Sequence, residues 1–249
     1  SLFFRVLIEL RLFARHFLFV IDTKSSGFIR LNFALPIYTR SRRMMFDARR
    51  PMVIDNEDLE HLCEELSDIS SVLTQLVPGL SIGFKEISQT LDKDGEAATV
   101  TMLTAYRDGK ELPLRDESDG VRKIISVLSL IIAAFNEQSV TVAIDEFDAG
   151  IFEYLLGEIL QSMEESGKGQ FIFTSHNLRP LEVINKKFLH FTTTNPQNRY
   201  IRLKNISATN NLRDTYFREI ILCEQEEEIY NKTKKFKIIA ALKKAGGLR

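Results

Sequence analysis

Two adjacent carboxylates follow a short apolar run in the middle of the sequence. Residues 140–144 read Val-Thr-Val-Ala-Ile, which predicts a buried strand, and Asp145 and Glu146 come directly after it. Sheets of α/β proteins place ligands at the carboxyl ends of their strands. An acid at that edge can hold Mg²⁺ beside phosphates, and a second acid can activate water. The alternative is a strand that ends in a solvated acidic turn.

A polar trio follows a second apolar strand. Ser175, His176 and Asn177 come after the predicted strand 170–174, and His176 lies 31 residues beyond Asp145. That separation accommodates one helix and one strand, so we expect His176 to lie level with the acidic pair, where it can contact a γ-phosphate or a catalytic water. The alternative is that Ser175 or Asn177 simply caps the next helix.

A small polar loop opens the most apolar helix that the sequence predicts, over residues 119–136. The loop and the first turn of the helix read Glu117-Ser118-Asp119-Gly120-Val121-Arg122-Lys123. Free backbone N–H groups and the helix dipole favour an anion at such a helix start. An ordinary capped helix is the alternative, because Ser118 or Asp119 would serve as the cap.

The elements that must position these groups fall into two parts. From residue 119 onward helices and strands alternate, which predicts an α/β fold with a mostly parallel sheet flanked by helices. The preceding part is more antiparallel and helical. We therefore expect an insertion or lid-like region over 1–115 and a second subdomain over 116–249. The predicted elements are a helix running into a strand over 1–21, an alternating strand pattern at 28–33 after a Ser26-Gly27 turn, a basic loop over 39–51, a helix over 57–76 capped by Asp55 or Asn56, strands 80–87, 98–106 and 111–114, and helices 151–165, 178–185 and 212–245 with strands 188–193 and 199–204 between the last two.

Composition and charge exclude several classes of protein. The 249 residues are 44% hydrophobic and 27% charged with a net charge of −1, which is typical of a globular chain. The charge divides unevenly, as +7 over residues 1–50, −16 over 51–170 and +8 over 171–249. No stretch of 18 residues is free of charge, so we expect no membrane partner. Two isolated cysteines indicate neither zinc nor a disulfide scaffold and suit the cytoplasm.

The three motifs become specific when they are taken in order. A Ser-x-Gly loop opens a helix, Asp145-Glu146 ends a strand 27 residues after Ser118, Asp148-Ala149-Gly150 follows, and then comes the strand with Ser175-His176. This order resembles the C-terminal half of an ABC-type ATPase head, most closely the bacterial AAA-family ATPases of the RecF, SMC and OLD-like group. The resemblance covers roughly residues 70–249 and implies a fold like that of the P-loop NTPases.

The resemblance implies a role for each motif. Two heads would sandwich ATP with Mg²⁺ in a homodimer. Asp145, as the Walker B acid, would hold the metal, Glu146 would activate water, and His176 would sense the γ-phosphate. Ser118 and Gly120 of the signature loop would contact ATP bound to the opposite head. The D-loop residue Asp148 would couple the two sites. Asp119 departs from the usual Ser-Gly-Gly signature. We expect either that its carboxylate points away from the phosphate or that the loop is tuned differently.

The phosphate cradle of this family, G-x-x-x-x-G-K-[ST], is absent from the sequence. The segments around Lys85 and Lys168 do not match it. We therefore expect an incomplete nucleotide-binding domain, the later part of a larger ATPase of DNA maintenance or phage defence, that turns over no ATP alone. A degenerate homologue is the alternative account of the missing cradle. A non-catalytic module that binds DNA or a partner protein is the alternative function, and an appended nuclease is disfavoured because no paired-acid strand follows residue 204.

Overall fold

The computed structural model describes residues 2–21, 34–38, 43–203, 212–222, 227–230 and 233–246. The chain divides into two compact units, residues 1–177 and 178–249. The predicted boundary between two subdomains, near residue 115, stays a prediction. The predicted strand at 28–33 and its turn at 26–27 lie outside the described residues.

The first unit contains four helices and nine strands among its described residues. In chain order they are α1 (Leu2–His16), β1 (Leu18–Ile21), β2 (Ala34–Tyr38), β3 (Arg43–Asp47), β4 (Met52–Asp55), α2 (Asn56–Leu76), β5 (Leu80–Leu91), β6 (Ala97–Arg107), β7 (Lys110–Pro113), α3 (Asp119–Asn136), β8 (Thr141–Ile144), α4 (Glu153–Ser166) and β9 (Gln170–Phe173).

A three-stranded parallel sheet in the order β1-β8-β9 carries the polar motifs. The expectation of an α/β fold with a parallel sheet flanked by helices is confirmed. The first strand of this sheet comes from residues 18–21, within the part that the sequence assigned to an insertion or lid. Leu18 pairs with Thr141 across more than a hundred residues of chain, and a local pattern cannot predict such a pairing.

The second sheet is antiparallel, in the order β4-β6-β5, with β7 also paired to β6. Asp108 and Gly109 form the predicted tight turn between β6 and β7, and both have positive φ, 50° and 75°. This geometry is typical of the two-residue turn that matches strand twist. The predicted basic loop over 39–51 is wrong for its central part, because Arg43–Asp47 forms β3 and pairs with β2.

Helix α3 is the central helix of the first unit. It contacts β8 and β9 of the parallel sheet and also packs against β2 and α2. Its buried residues run almost without interruption from Lys123 to Ile131. A helix that is buried on most of its circumference belongs to a core rather than to a surface. The bounds 119–136 agree with the sequence prediction. Because α3 packs on the parallel sheet, it holds its N-terminal turn, with Ser118 and Gly120, beside that sheet.

Helix α2 begins as predicted, but without the predicted capping bond. Asp55 occupies the N-cap position and its side chain accepts no hydrogen bond there. The other candidate, Asn56, accepts a hydrogen bond at Oδ1 from Thr99 Oγ1 at 2.7 Å. The buried residues Leu62, Leu66 and Leu73 recur at helical spacing and pack the helix against β5.

The second unit has less regular structure than the sequence predicts. Its described elements are α5 (Pro180–Val183), β10 (Phe191–Thr192), β11 (Tyr200–Ile201), α6 (Leu212–Leu222) and α7 (Lys235–Ala245). The predicted helix 178–185 is a single turn. The predicted helix 212–245 is wrong as one element, because residues 227–230 between α6 and α7 are not helical. Among the described residues no helix has both the length and the apolarity to cross a membrane.

Candidate functional site

The acidic pair and the serine-histidine segment meet at the carboxyl edge of the parallel sheet. Ile144 is the register partner of Phe173, so Asp145 and Thr174 are the first residues beyond β8 and β9. The ladder continues through both, because Thr174 N donates to Ile144 O at 3.1 Å and Asp145 N donates to Ile21 O at 2.8 Å. The predicted common level of the two motifs is confirmed.

Thr174 holds the acidic pair from the neighbouring strand. Its hydroxyl donates a hydrogen bond to Asp145 Oδ1 and accepts one from Glu146 N at 2.8 Å. One hydroxyl thereby uses both its donor and an acceptor position. The bond orients the Asp145 carboxylate and ties down the backbone at Glu146.

Glu146 has a left-handed backbone conformation, with φ of +49°. A residue with a Cβ pays about 1–2 kcal/mol for this conformation, so the surrounding contacts must impose it. The next residue supplies one such contact. Phe147 is fully buried, its ring meets Phe171 edge-on with 5.2 Å between centroids, and its N–H donates to Thr174 O at 3.0 Å. Anchoring of Phe147 in the core turns the chain sharply at Glu146.

The turn points the Glu146 carboxylate toward His176. Glu146 Oε1 lies 3.8 Å from His176 Nε2, and the two side chains are 36% and 86% exposed. The separation exceeds a direct hydrogen bond, and both groups face solvent. The two side chains therefore flank a space that is open to water or a ligand.

Asp148 braces the segment that carries His176. Its carboxylate accepts hydrogen bonds from His176 N at 3.3 Å and from Asn177 N at 3.1 Å. Asp148, which lies on the loop after β8, thus fixes the position of His176 by binding its backbone N–H. Ser175 Oγ also accepts a hydrogen bond from Asn177 N at 3.0 Å, which closes a local turn. The alternative prediction, that Ser175 or Asn177 caps the next helix, is wrong, because the N-cap of α5 is Arg179.

The segment that begins α3 and carries Ser118 and Gly120 lies against this same loop. Ser118 is the N-cap of α3 and accepts a hydrogen bond from Val121 N at 3.3 Å, as the capping alternative predicted. A Cβ added to Gly120 would overlap the carbonyl oxygen of Gly150 and lie 3.2 Å from its carbonyl carbon. Gly150 itself has φ of +79°. Two backbones therefore touch where Gly120 and Gly150 meet. A Cβ on Gly120 would clash, and the positive φ of Gly150 is unfavourable for any residue with a Cβ.

Asp119, the departure from the usual signature, is paired within its own helix. Its carboxylate accepts a hydrogen bond from the guanidinium of Arg122, and the Asp119 side chain is 63% exposed. Arg122 also donates to Arg115 O at 2.6 Å and to Glu117 O. Arg122 thereby partly neutralises the carboxylate and joins the loop before α3 to its first turn.

Lys123 is a buried cation beneath the acidic turn. It is 7% exposed, and its Nζ donates to Glu146 O at 2.5 Å. Burial lowers the pKa of the Lys123 ammonium, whereas the carboxylates of Asp148, Glu146 and Asp145 act to raise it. No separate role is predicted for this residue, which looks like one polar position on an apolar helix.

The donor set of the site is made of hard oxygens. Asp145 and Thr174 present a carboxylate and a hydroxyl at the sheet edge, which are ligands that Mg²⁺ accepts. Among the described residues no cluster of three or more His, Cys, Asp and Glu side chains could hold a metal. A site of this kind suits Mg²⁺, because that ion keeps several waters and takes one or two protein carboxylates together with phosphates.

Comparison with protein families identifies the chain. A family model described as "AAA domain, putative AbiEii toxin, Type IV TA system" matches residues 14–182. The chain belongs to this AAA domain family. The matched range includes every residue of the carboxyl-edge site described above. As an AAA-type domain, the chain is an ATPase-like module of a family that binds nucleotides.

Solved structures similar to this AAA domain include two SMC heads. One is an SmcHead bound to the C-winged helix domain of ScpA, with 17% identity, a TM-score of 0.37, and coverage of 49% of this chain and 36% of that chain. The other is an Smc head with an extended coiled coil bound to the C-terminal domain of ScpA, derived from Pyrococcus furiosus, with 18% identity, a TM-score of 0.32, and coverage of 50% and 33%. The chain spans about a third of the length of each. A comparison with curated proteins found no match.

Sequence reasoning missed three residues that shape the site of this AAA domain. Thr174 carried a signal, because it follows β9 at the level where Asp145 follows β8. Phe147 and Lys123 carried weaker sequence signals. Phe147 is an apolar residue inside a polar loop, and Lys123 is a lysine inside an apolar helix. Their contacts with Thr174 O and Glu146 O depend on the tertiary fold.

Proposed function

We propose that this AAA domain supplies the hydrolytic half of an ATPase site, with Glu146 as the general base. The observation that supports this most strongly is the placement of the Glu146 carboxylate. A left-handed turn directs it into open space beside His176, while the neighbouring Asp145 carboxylate is held separately by Thr174. Two adjacent acids with different surroundings suit two different tasks.

The proposed division of work follows from these surroundings. Asp145 and Thr174 would hold Mg²⁺, which when bound neutralises developing negative charge on the phosphates. Glu146 would accept a proton from the attacking water. His176 would donate a hydrogen bond to the γ-phosphate or to that water, from a position that Asp148 sets through the backbone.

Ser118 and Gly120 would serve the second half of the arrangement. Their loop begins an 18-residue helix whose N-terminus favours an anion, and Gly120 allows close approach of the backbone. We propose that this loop contacts ATP held by an opposing head in a homodimer, with Asp148 linking the two sites. The pairing of Asp119 with Arg122 reduces the repulsion that a free carboxylate would exert on phosphate.

We propose further that the phosphate cradle comes from a P-loop encoded upstream, since the 249 residues contain none. We call the chain joined to that segment the P-loop-completed protein. It would act in the cytoplasm, in DNA maintenance or phage defence. The 249-residue chain alone should bind ATP weakly and hydrolyse it negligibly. An upstream coding sequence without a P-loop would contradict this part of the proposal.

The test of the proposed function is hydrolysis of Mg-ATP by the P-loop-completed protein. We expect Glu146→Gln to lower kcat by about 10²–10⁴-fold while ATP still binds, because only proton acceptance is lost. Glu158→Gln is the matched control. Glu158 is an exposed glutamate on α4, so its loss removes one carboxylate without touching the site. Equal activity of the two variants would refute the role of Glu146. Hydrolysis of ATP by the 249 residues alone, if it is lost in Glu146→Gln, would refute the proposal that the phosphate cradle must come from elsewhere.

The second candidate function is a non-catalytic module that binds DNA or a partner protein. The observation that favours it is α7, whose residues are all exposed and include Lys235, Lys237, Lys243 and Lys244. Nucleotide-independent DNA binding that weakens steeply with salt would support this function. Binding that is indifferent to loss of these lysines would exclude α7 as the DNA contact.

A further inference from the structure

Lys123 connects the helix of the signature loop to the turn that carries Glu146. It lies one turn into α3, and its Nζ donates to the carbonyl oxygen of Glu146 at 2.5 Å. The same oxygen accepts a hydrogen bond from Ala149 N at 3.1 Å. Both acceptor positions of this carbonyl are thereby used. The peptide that follows Glu146 is consequently held from two sides, once by its own loop and once by α3.

The need for such a contact arises from the backbone of Glu146. Its positive φ is unfavourable for a residue with a Cβ, so the turn persists only while neighbouring groups enforce it. Thr174 fixes the N–H of Glu146, and Lys123 fixes its carbonyl oxygen. These two contacts, one at each end of the residue, determine the direction in which the Glu146 carboxylate leaves the backbone.

The groups around Lys123 compensate for the burial of its positive charge. A buried ammonium is costly unless opposite charges and hydrogen bonds compensate for the lost water. The carboxylates of Asp148, Glu146 and Asp145 all act on it favourably. An apolar side chain would be the simpler occupant of a position between Arg122 and Ile124 on a helix this apolar. The lysine therefore meets a requirement of the acidic turn rather than of the core.

We propose that Lys123 is a positioning residue that holds the left-handed Glu146 turn and thereby orients the general base. This inference rests on the proposed function of Glu146 and gives a role to Lys123, the last residue of the segment 117–123, to which the resemblance assigns none. It also provides a physical link between the signature helix and the hydrolytic carboxylate, because α3 meets the same loop a second time where Gly120 touches Gly150.

Hydrogen exchange tests the structural part of the proposal without any activity. In the 249-residue chain, Lys123→Met should speed exchange of the Phe147 and Ala149 amides by at least about tenfold, because a charge-assisted hydrogen bond to the turn is lost. Lys168→Met is the matched control, since Lys168 is exposed at the opposite edge of the sheet. Unchanged exchange in Lys123→Met would overturn the proposal, whatever the ATPase rates of the P-loop-completed protein are. If that variant does not fold, Lys123→Gln gives the same comparison, because its shorter, uncharged side chain should also loosen the turn.

Kinetics of the P-loop-completed protein test the functional part. Lys123→Met should lower kcat by about 100-fold with little change in KM, since a misdirected base impairs the reaction and not ATP binding. Lys123→Arg should restore part of the rate. In a Glu146→Gln background Lys123→Met should have no further effect. An additive loss there would overturn the proposal, as would a normal kcat in Lys123→Met. Full activity of Glu146→Gln would instead refute the proposed function itself.

Discussion

Substitution of Gly120 by alanine should damage the site through one backbone contact. The added Cβ would overlap the carbonyl oxygen of Gly150, and ordinary van der Waals contact begins near 3.4 Å. Relief of the overlap requires α3 and the loop after β8 to separate by about 1 Å. A shift of this size at a catalytic group lowers the rate on the order of 100-fold. Overpacking should cost about 1–3 kcal/mol, more than the ~0.4–1 kcal/mol that Gly→Ala gains from the unfolded chain.

The assay combines thermal unfolding with kcat per folded molecule of the P-loop-completed protein. Gly169→Ala is the matched control, because its Cβ would meet three carbonyl oxygens, those of Val140, Glu137 and Ala134, at 2.6–2.8 Å. That clash lies before β9, at the edge of the sheet opposite the site. We expect both variants to lose stability and only Gly120→Ala to lose kcat. A Gly120→Ala protein with normal stability and normal rate would refute this reasoning.

Two further predictions concern other hydrogen bonds of the chain. Thr174→Val should destabilise the first unit by about 1 kcal/mol, because Glu146 N–H and Asp145 lose their shared partner. Thr174→Ser should retain the stability, and an unaffected melting curve for the valine variant would contradict the role of the hydroxyl. In the second unit, hydrogen bonds from Arg213 and Arg179 lower the pKa of Glu182 from its ordinary 4.5. The stabilisation should therefore be present above pH 4.5 and disappear as the pH falls through the lowered pKa, so the difference in unfolding free energy between wild type and Glu182→Gln should close in acid. A difference that persists there would contradict this assignment.

Much of the fold could be predicted because its signals are local. Helix α3 combines a serine cap with a long apolar run, and its bounds agree with the prediction. The Asp108-Gly109 turn has the two positive φ angles that this dipeptide favours. Asp145 and Thr174 lie side by side because β8 and β9 are parallel and their ends are in register. Each of these follows from residues that are neighbours in sequence or from one rule of sheet geometry.

The remaining features depend on contacts between distant segments. The pairing of β1 with β8 has no local signature, so residues 18–21 were not assigned to the parallel sheet. The contact of Gly120 with Gly150 and that of Lys123 with Glu146 each join α3 to a loop more than twenty residues away. Over residues 212–245, by contrast, the charge pattern and the apolar spacing predict more helix than the structure contains, namely one long helix. The described residues between α6 and α7 are not helical, since propensity alone does not hold an exposed helix together.

The most direct test of the central claim separates ATP binding from ATP hydrolysis in the P-loop-completed protein. Wild type, Glu146→Gln and the control Glu158→Gln would be compared in one experiment that measures both the Kd for Mg-ATP and the single-turnover rate. The account predicts three similar Kd values, with a rate about 10²–10⁴-fold lower in Glu146→Gln alone. Hydrolysis by Glu146→Gln at the wild-type rate would contradict the assignment of this carboxylate as the general base.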